Sequence, residues 1–189
     1  MPIGFQIIAC FSNVADHLAA ANWKFRMTHS KIVSLSEAVE RRRSIRRLVF
    51  TNGHFDLLHV GHVTYLETAR ALGHALFVGV NSDESTRRLK GPKRPLTPQG
   101  ERLQILASLN CVDAVLIFDG LTAHEPLGAL RPEIYAKGGD YVLDPNRAGT
   151  LLPEAPLVQG YGGQIELIPY LAGHSTSEFI QRIVERFCD

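Results

Sequence analysis

Apolar positions in this chain alternate between short continuous runs and longer stretches with helical spacing. Arg47-Leu48-Val49-Phe50 is a β-leaning run. It leads through a glycine-bearing turn into Val63 to Gly73, where apolar residues recur at helical spacing and Gly73 closes the pattern. Ala75-Leu76-Phe77-Val78-Gly79-Val80 is nearly all apolar, as expected of a strand buried on both faces. The order continues with helices over 98–109 and 123–130, strands over 114–118, 133–136 and 164–168, and a closing helix over 175–187. Ser34-Leu35-Ser36-Glu37 is a capping-box pattern that predicts a short helix ahead of the first strand, its arginines forming a solvated face or an anion patch. Strands and helices in this order predict a doubly wound, Rossmann-like parallel sheet of about five strands, which binds ligands beyond the strand carboxyl ends. Residues 141–163, rich in Pro and Gly, read as the least structured stretch and as a mobile flap over that rim.

Composition adds exclusions. The 189 residues are enough for one domain with a sizeable core, and 45% hydrophobic with 21% charged residues is ordinary for a globular chain. A formal net charge of +1 argues against a general nucleic-acid or anionic-membrane surface. Cys10, Cys111 and Cys188 are widely spaced, which suggests neither a disulfide framework nor a zinc site and fits a reducing cytoplasm. The apolar run from Ile3 to Phe11 is too short to span a bilayer and lacks the marks of a secretory leader. The expected organisation is an extension of unknown role over 1–26, a leading helix over 27–45, and the α/β domain over 46–189. Met27 reads more like a natural start than Met1 does.

The candidate chemistry centres on Thr51-Asn52-Gly53-His54-Phe55-Asp56-Leu57-Leu58-His59-Val60-Gly61-His62. Strand, turn and helix N-terminus point free N–H groups and a positive dipole end at one spot, which suits a phosphate. His59 and His62, three residues apart, share one side of the helix start. They admit three readings. A metal pair lacks further ligands at zinc-motif spacing. A capping and packing pair is the ordinary outcome for HxxH. The third is a pair of imidazole donors to a bound phosphate chain, and glycine at 53 and 61, where a side chain would obstruct a ligand, favours it.

The pattern resembles the HxGH signature of the cytidylyltransferase-like nucleotidyltransferases, in the form found in the heptose 1-phosphate adenylyltransferase branch. Further blocks agree: Val80-Asn81-Ser82-Asp83, Arg88-Leu89-Lys90-Gly91 with Arg94-Pro95, Glu101-Arg102, Lys137-Gly138-Gly139-Asp140-Tyr141 and Gly173-His174-Ser175-Thr176-Ser177. The rival branch, acting on glycerol 3-phosphate or phospho-amino-alcohols, typically has an arginine where this chain has Tyr170. Two departures from the heptose pattern are His54, where cysteine is common, and Ser177, where threonine is common. With only about 45 residues ahead of the first strand, the sugar-kinase domain often fused upstream is not expected, so a stand-alone transferase is the reading.

The resemblance implies catalytic roles for His59, His62 and Lys90. It implies nucleotide contacts from Asn52, Gly53, His54, Phe55, Gly61, Gly138, Asp140, Ser175, Thr176 and Ser177, and acceptor contacts from Asp56, Asp83, Arg94 and Arg102. Read by position alone, Lys90 is a loop lysine and Asp83 and Asp140 are turn residues. Likewise Ser175 to Ser177 cap a helix, and Arg102 is as easily a surface ion pair as a site-shaping residue. The chain shows no serine–histidine–acid set and no activated cysteine, so direct transfer is the simpler route: AMP passes from ATP to a sugar 1-phosphate by in-line attack. Mg²⁺ would come with ATP and be held mainly by the triphosphate and water rather than by protein. Family precedent implies a homodimer, and the near-neutral charge leaves no nucleic-acid or membrane partner expected. A cytidylyltransferase and a non-catalytic nucleotide sensor are the alternatives.

Overall fold

The computed structural model describes residues 28–138, 141–144, 146–169, 171 and 173–187. The extension over 1–26, Gly139, Asp140, Tyr170, Cys10 and Cys188 lie outside the described residues.

Five strands form one parallel sheet: β1 (Leu48–Gly53), β2 (Ala75–Asn81), β3 (Ala114–Phe118), β4 (Ile134–Gly138) and β7 (Gln164–Ile168), in the order β3-β2-β1-β4-β7. A separate pair, β5 (Tyr141–Val142) and β6 (Thr150–Leu151), lies outside it. All seven residues of β2 are buried, as are the first four of β1, so these strands read as continuous apolar runs. Alternate residues feed two cores. Phe50, Phe77, Leu116 and Tyr135 pack on one face with α1 (Leu35–Arg42), α5 (His124–Leu130) and α6 (Ala155–Gly160). Val49, Val78, Val115 and Ile134 pack on the other with α2 (Val60–Ala71) and α4 (Gln99–Ser108). The remaining helices are α3 (Asp83–Lys90) and α7 (Thr176–Phe187). Successive strands run outward one way from β1 and the other way from β4. The order therefore reverses between these two neighbours, and the crevice beyond their carboxyl ends is where such sheets bind ligands.

The predicted strands and helices form with small shifts at their ends, and the Ser34–Glu37 capping box is present. Two expectations need correction. Lys90 is not on a loop but is the last residue of α3, whose sequence DESTRRLK buries only Ser85 and Thr86. A helix that buries hydroxyls instead of an apolar stripe leaves no periodic signal. Residues 141–163 are not a flap throughout. Leu152, Ala155 and Val158 are core residues, and α6 is anchored by them. Among the described residues, no helix is long and apolar enough to cross a membrane.

Candidate active site

The turn from β1 into α2 is the centre of a cleft of about 820 Å³. Asn52 and Gly53 belong to the end of β1, and His59 is the N-cap of α2, which puts His62 in its first turn. Phe55 adopts φ 48°, a left-handed conformation that a bulky side chain rarely takes and that costs on the order of 1 kcal/mol. It is held there by burial: the residue is 7% exposed and its ring lies 5.5 Å from the His62 ring. A Cβ on Gly53 would stand 3.1 Å from the Phe55 ring, which explains glycine at that position.

Four residues expected at the acceptor are tied into this turn by hydrogen bonds and ion pairs. Asp56 accepts from the backbone N–H of Leu96 (2.7 Å) and Thr97 (2.8 Å) and from the Arg94 guanidinium. Arg102 is 1% exposed and donates to the carbonyls of Thr97 and His54 and to Asp83 Oδ1 at 2.8 Å. Arg102 is therefore not a surface ion-pair residue. Asp56 and Arg94 line the cleft, whereas Asp83 and Arg102 do not, because their charges are spent on each other behind the turn.

The two signature histidines lie with ring centroids 3.9 Å apart. The His59 backbone N–H donates to His62 Nδ1 at 3.4 Å, so the neutral His62 ring carries its proton on Nε2. Burial, followed by the neighbouring His59, lowers the His62 pKa to about 4. His59 is lowered too, by burial first and then by His174 and Arg182. Its buried Nδ1 has no hydrogen-bond partner among the described residues. His54, bonded to Thr86 Oγ1 at 3.1 Å, is lowered to about 4 by burial and then by the positive charges of Lys90, Arg102 and Lys137. All three rings are thus neutral donors in the free protein near pH 7.

Gly61 joins the two halves of the site. A Cβ there would come within 2.9 Å of the His174 carbonyl and 3.0 Å of His59 Nδ1, so only glycine lets the segment before α7 approach the histidine pair. At the head of α7, Ser175 Oγ accepts from the Glu178 N–H (3.1 Å), and the Glu178 carboxylate accepts from the Ser175 N–H (2.8 Å). The capping role is therefore real, and Ser175, Thr176 and Ser177 also line the cleft with Lys90, His54 and Gly138. Among the described residues, no three His, Cys, Asp or Glu side chains gather to hold a metal ion.

Sequence reasoning passed over Lys137 and Tyr65 as individual site residues. Lys137 is 7% exposed at the carboxyl end of β4, and Tyr65 bonds Thr51 Oγ1 at 2.7 Å; both line the cleft. A lysine closing the apolar run Ile134-Tyr135-Ala136 was the available signal for Lys137, since a buried strand tolerates a charge only for a reason.

The cytidylyltransferase-like family profile matches residues 50–182. The chain is 46% identical over 179 residues to the bifunctional protein HldE of Trichlorobacter lovleyi, a match covering 93% of this chain and 35% of that protein. It is 48% identical over 174 residues to the bifunctional protein HldE of Syntrophotalea carbinolica, covering 92% and 34%. The chain thus spans about a third of the length of the curated relatives it matches. Among solved structures, the lipopolysaccharide core biosynthesis protein from Thermoplasma volcanium GSS1 superposes with a TM-score of 0.52 at 28% identity, covering 66% of this chain and 96% of that one. The profile takes in both histidines, Lys90, Lys137 and the Ser175–Ser177 segment that meet at the cleft, and this chain belongs to the cytidylyltransferase-like family.

Proposed function

We propose that this chain is an adenylyltransferase that moves AMP from ATP to D-glycero-D-manno-heptose 1-phosphate, giving ADP-heptose and pyrophosphate. The observation that carries the reading is the contact of Gly61 with His174, which sets two neutral imidazoles beside a helix N-terminus bearing Ser175, Thr176 and Ser177. The choice of heptose phosphate rests on likeness to the bifunctional HldE proteins and to a lipopolysaccharide core biosynthesis protein, together with the Lys137-Gly138-Gly139-Asp140-Tyr141 block.

A phosphate oxygen of the sugar 1-phosphate attacks the α-phosphorus of ATP. The new P–O bond forms as the bond to the β-phosphate bridging oxygen breaks, and that oxygen leaves with the electron pair on pyrophosphate. A phosphate monoester is already ionised near neutral pH, so no strong base is needed and catalysis reduces to positioning and charge stabilisation. His62 donates from Nε2 and His59 from its own N–H to oxygens on which charge builds. Lys90, from the end of α3, and Lys137, from the end of β4, supply positive charge, and the α7 N-terminus holds the phosphates. Mg²⁺ would travel with ATP on the triphosphate and water. Among the described residues, the Asp56 carboxylate at the cleft does not suit a resident ion, because it already accepts from Arg94, Leu96 and Thr97.

Nucleotide contacts from Asp140 and sugar contacts from Asp56 and Arg94 belong to the same proposal, as does a cytoplasmic location. So does a homodimer, for which the apolar face of α7 with Phe179, Ile183, Val184 and Phe187 exposed offers surface that a second copy can cover. Light scattering of the purified protein tests that assembly.

Pyrophosphate release measured with ATP or CTP against heptose 1-phosphate or glycerol 3-phosphate tests the reaction. Turnover is expected with ATP and heptose 1-phosphate. Turnover only with CTP would transfer the chain to the cytidylyl branch, and ATP binding with no turnover on any acceptor would make it a sensor.

A further inference from the structure

Tyr135 lies wholly buried in the middle of β4, yet its hydroxyl donates to Asn52 Oδ1 at 2.6 Å, at the end of the adjacent strand β1. Lys137 Nζ, two residues on and on the same face of β4, is 3.2 Å from the same oxygen and 3.3 Å from the Asn52 carbonyl. The Lys137 ammonium also stands 4.8 Å from the centre of the Tyr141 ring, which covers it.

An amide side chain can ordinarily rotate by half a turn, exchanging a donor face for an acceptor face at little cost. Here that freedom is removed. An ammonium only donates, so the Asn52 atom facing Lys137 must be oxygen. Burial pushes the Tyr135 phenol well above its usual pKa, so it keeps its proton, and because it meets the same oxygen that Lys137 faces, it donates there. With its oxygen engaged twice, the carboxamide keeps its NH₂ off both partners, and Asn52 is one of the residues that line the cleft.

We propose that Tyr135 and Lys137 lock the Asn52 amide so that it meets the cleft only as a hydrogen-bond donor, making Asn52 a selective contact for an anionic phosphate oxygen and Tyr135 a positioning residue. This rests on the reading of the cleft as a nucleoside triphosphate site. Tyr135 is on the core side of Asn52 and acts only through it.

The test is a double-mutant cycle on the full chain, reading Mg·ATP affinity by calorimetry and kcat/KM by pyrophosphate release. Tyr135→Phe is expected to weaken ATP binding about tenfold, as for one lost orientation of a donor to a charged group. In the Asn52→Ala background the same change is expected to cost less than twofold. Equal loss in both backgrounds would overturn the lock, because a purely structural tyrosine costs the same with or without Asn52.

Asn52→Asp supplies the second arm. Its carboxylate can still accept from Tyr135 and Lys137, so thermal stability should equal or exceed the parent, while the oxygen now facing the cleft should weaken ATP binding at least a hundredfold. Parent-like ATP affinity in that variant would sink the donor assignment. A fall of about 5 °C or more in Tm would sink the placement of the oxygen. If the parent chain neither binds ATP nor turns over, the reading of the site fails, while the stability comparison of Asn52→Asp with Asn52→Leu still decides the lock. The leucine should then be markedly less stable, since it removes the oxygen that accepts from the wholly buried Tyr135 hydroxyl, and equal stability would reject it.

Discussion

The backbone N–H of His59 donates to the Nδ1 atom of His62, 3.4 Å away, at the first turn of α2. This one contact selects the tautomer of His62 and aims its remaining proton outward on Nε2. The main chain thus orients the donor without a separate carboxylate to hold the ring.

Replacing His62 by alanine should therefore remove a preorganised donor from the transition state while leaving ATP largely bound. We expect kcat to fall by about two to three orders of magnitude and nucleotide affinity to change by less than about fivefold. Steady-state kinetics with a parallel binding measurement checks this. A variant with near-normal kcat and weakened binding would remove His62 from the chemistry.

The lowered pKa values of His54 and His62 make stability depend on pH. Both fall from 6.5 to about 4 on folding, so between those values the unfolded chain binds more protons than the folded one. The contribution is fully present above about pH 6.5 and is lost as pH falls toward 4. Each histidine adds at most about 1.4 kcal/mol per pH unit to the slope. Urea unfolding across this window should show that slope reduced in His62→Gln, and an unchanged slope would contradict the burial of the ring. Binding of a polyanion should reverse the shift, so calorimetry near pH 6 in buffers of different ionisation enthalpy should show proton uptake with ATP.

Gly61→Ala separates fold from function. Alanine is preferred to glycine in a helix by up to about 1 kcal/mol, which offsets part of the strain of a Cβ placed 2.9 Å from the His174 carbonyl. Little net change in Tm is expected. The segment carrying Ser175 to Ser177 must shift away from the histidines, and a displacement of that size is worth about a hundredfold in rate. Parent-like activity would show that the two halves of the site need not touch.

Arg102→Met removes a wholly buried guanidinium that ties the His54 and Thr97 carbonyls to Asp83. The orphaned acceptors should cost on the order of 3 kcal/mol, the lower end for a broken buried pair because Asp83 keeps a quarter of its side chain in solvent. Chemical denaturation checks the figure. Arg102→Lys should recover only part of it, since an ammonium cannot span three acceptors set in different directions. A surface residue would show no such loss.

Much of this protein was legible in the order of its residues. The continuous runs at 48–50, 75–80 and 114–118 could bury both faces only in the interior of a sheet flanked by helices, and that repeated alternation implied parallel strands. The HxGH turn and the late Ser175-Thr176-Ser177 segment stood out because glycine, N–H groups and hydroxyls at helix starts are what a bound phosphate would call for, and both segments line the cleft. Asp140, singled out from the sequence, lies outside the described residues.

What the linear order left open was decided by contacts between distant segments. Arg102 was ambiguous because helical position alone does not say that the His54 carbonyl, 48 residues away, needs its guanidinium. The helix ending at Lys90 was invisible because its buried face is made of Ser85 and Thr86, whose burial is sustained by hydrogen bonds to Gly120 and His54. Lys137 and Tyr135 gained a role only when β4 was laid beside β1 and both met one amide oxygen. Local propensity and periodicity are properties of neighbours in sequence, and they determined which elements form. A charge or hydroxyl in the interior is tolerated only by partners that the sheet order brings to it, so its purpose is set in three dimensions.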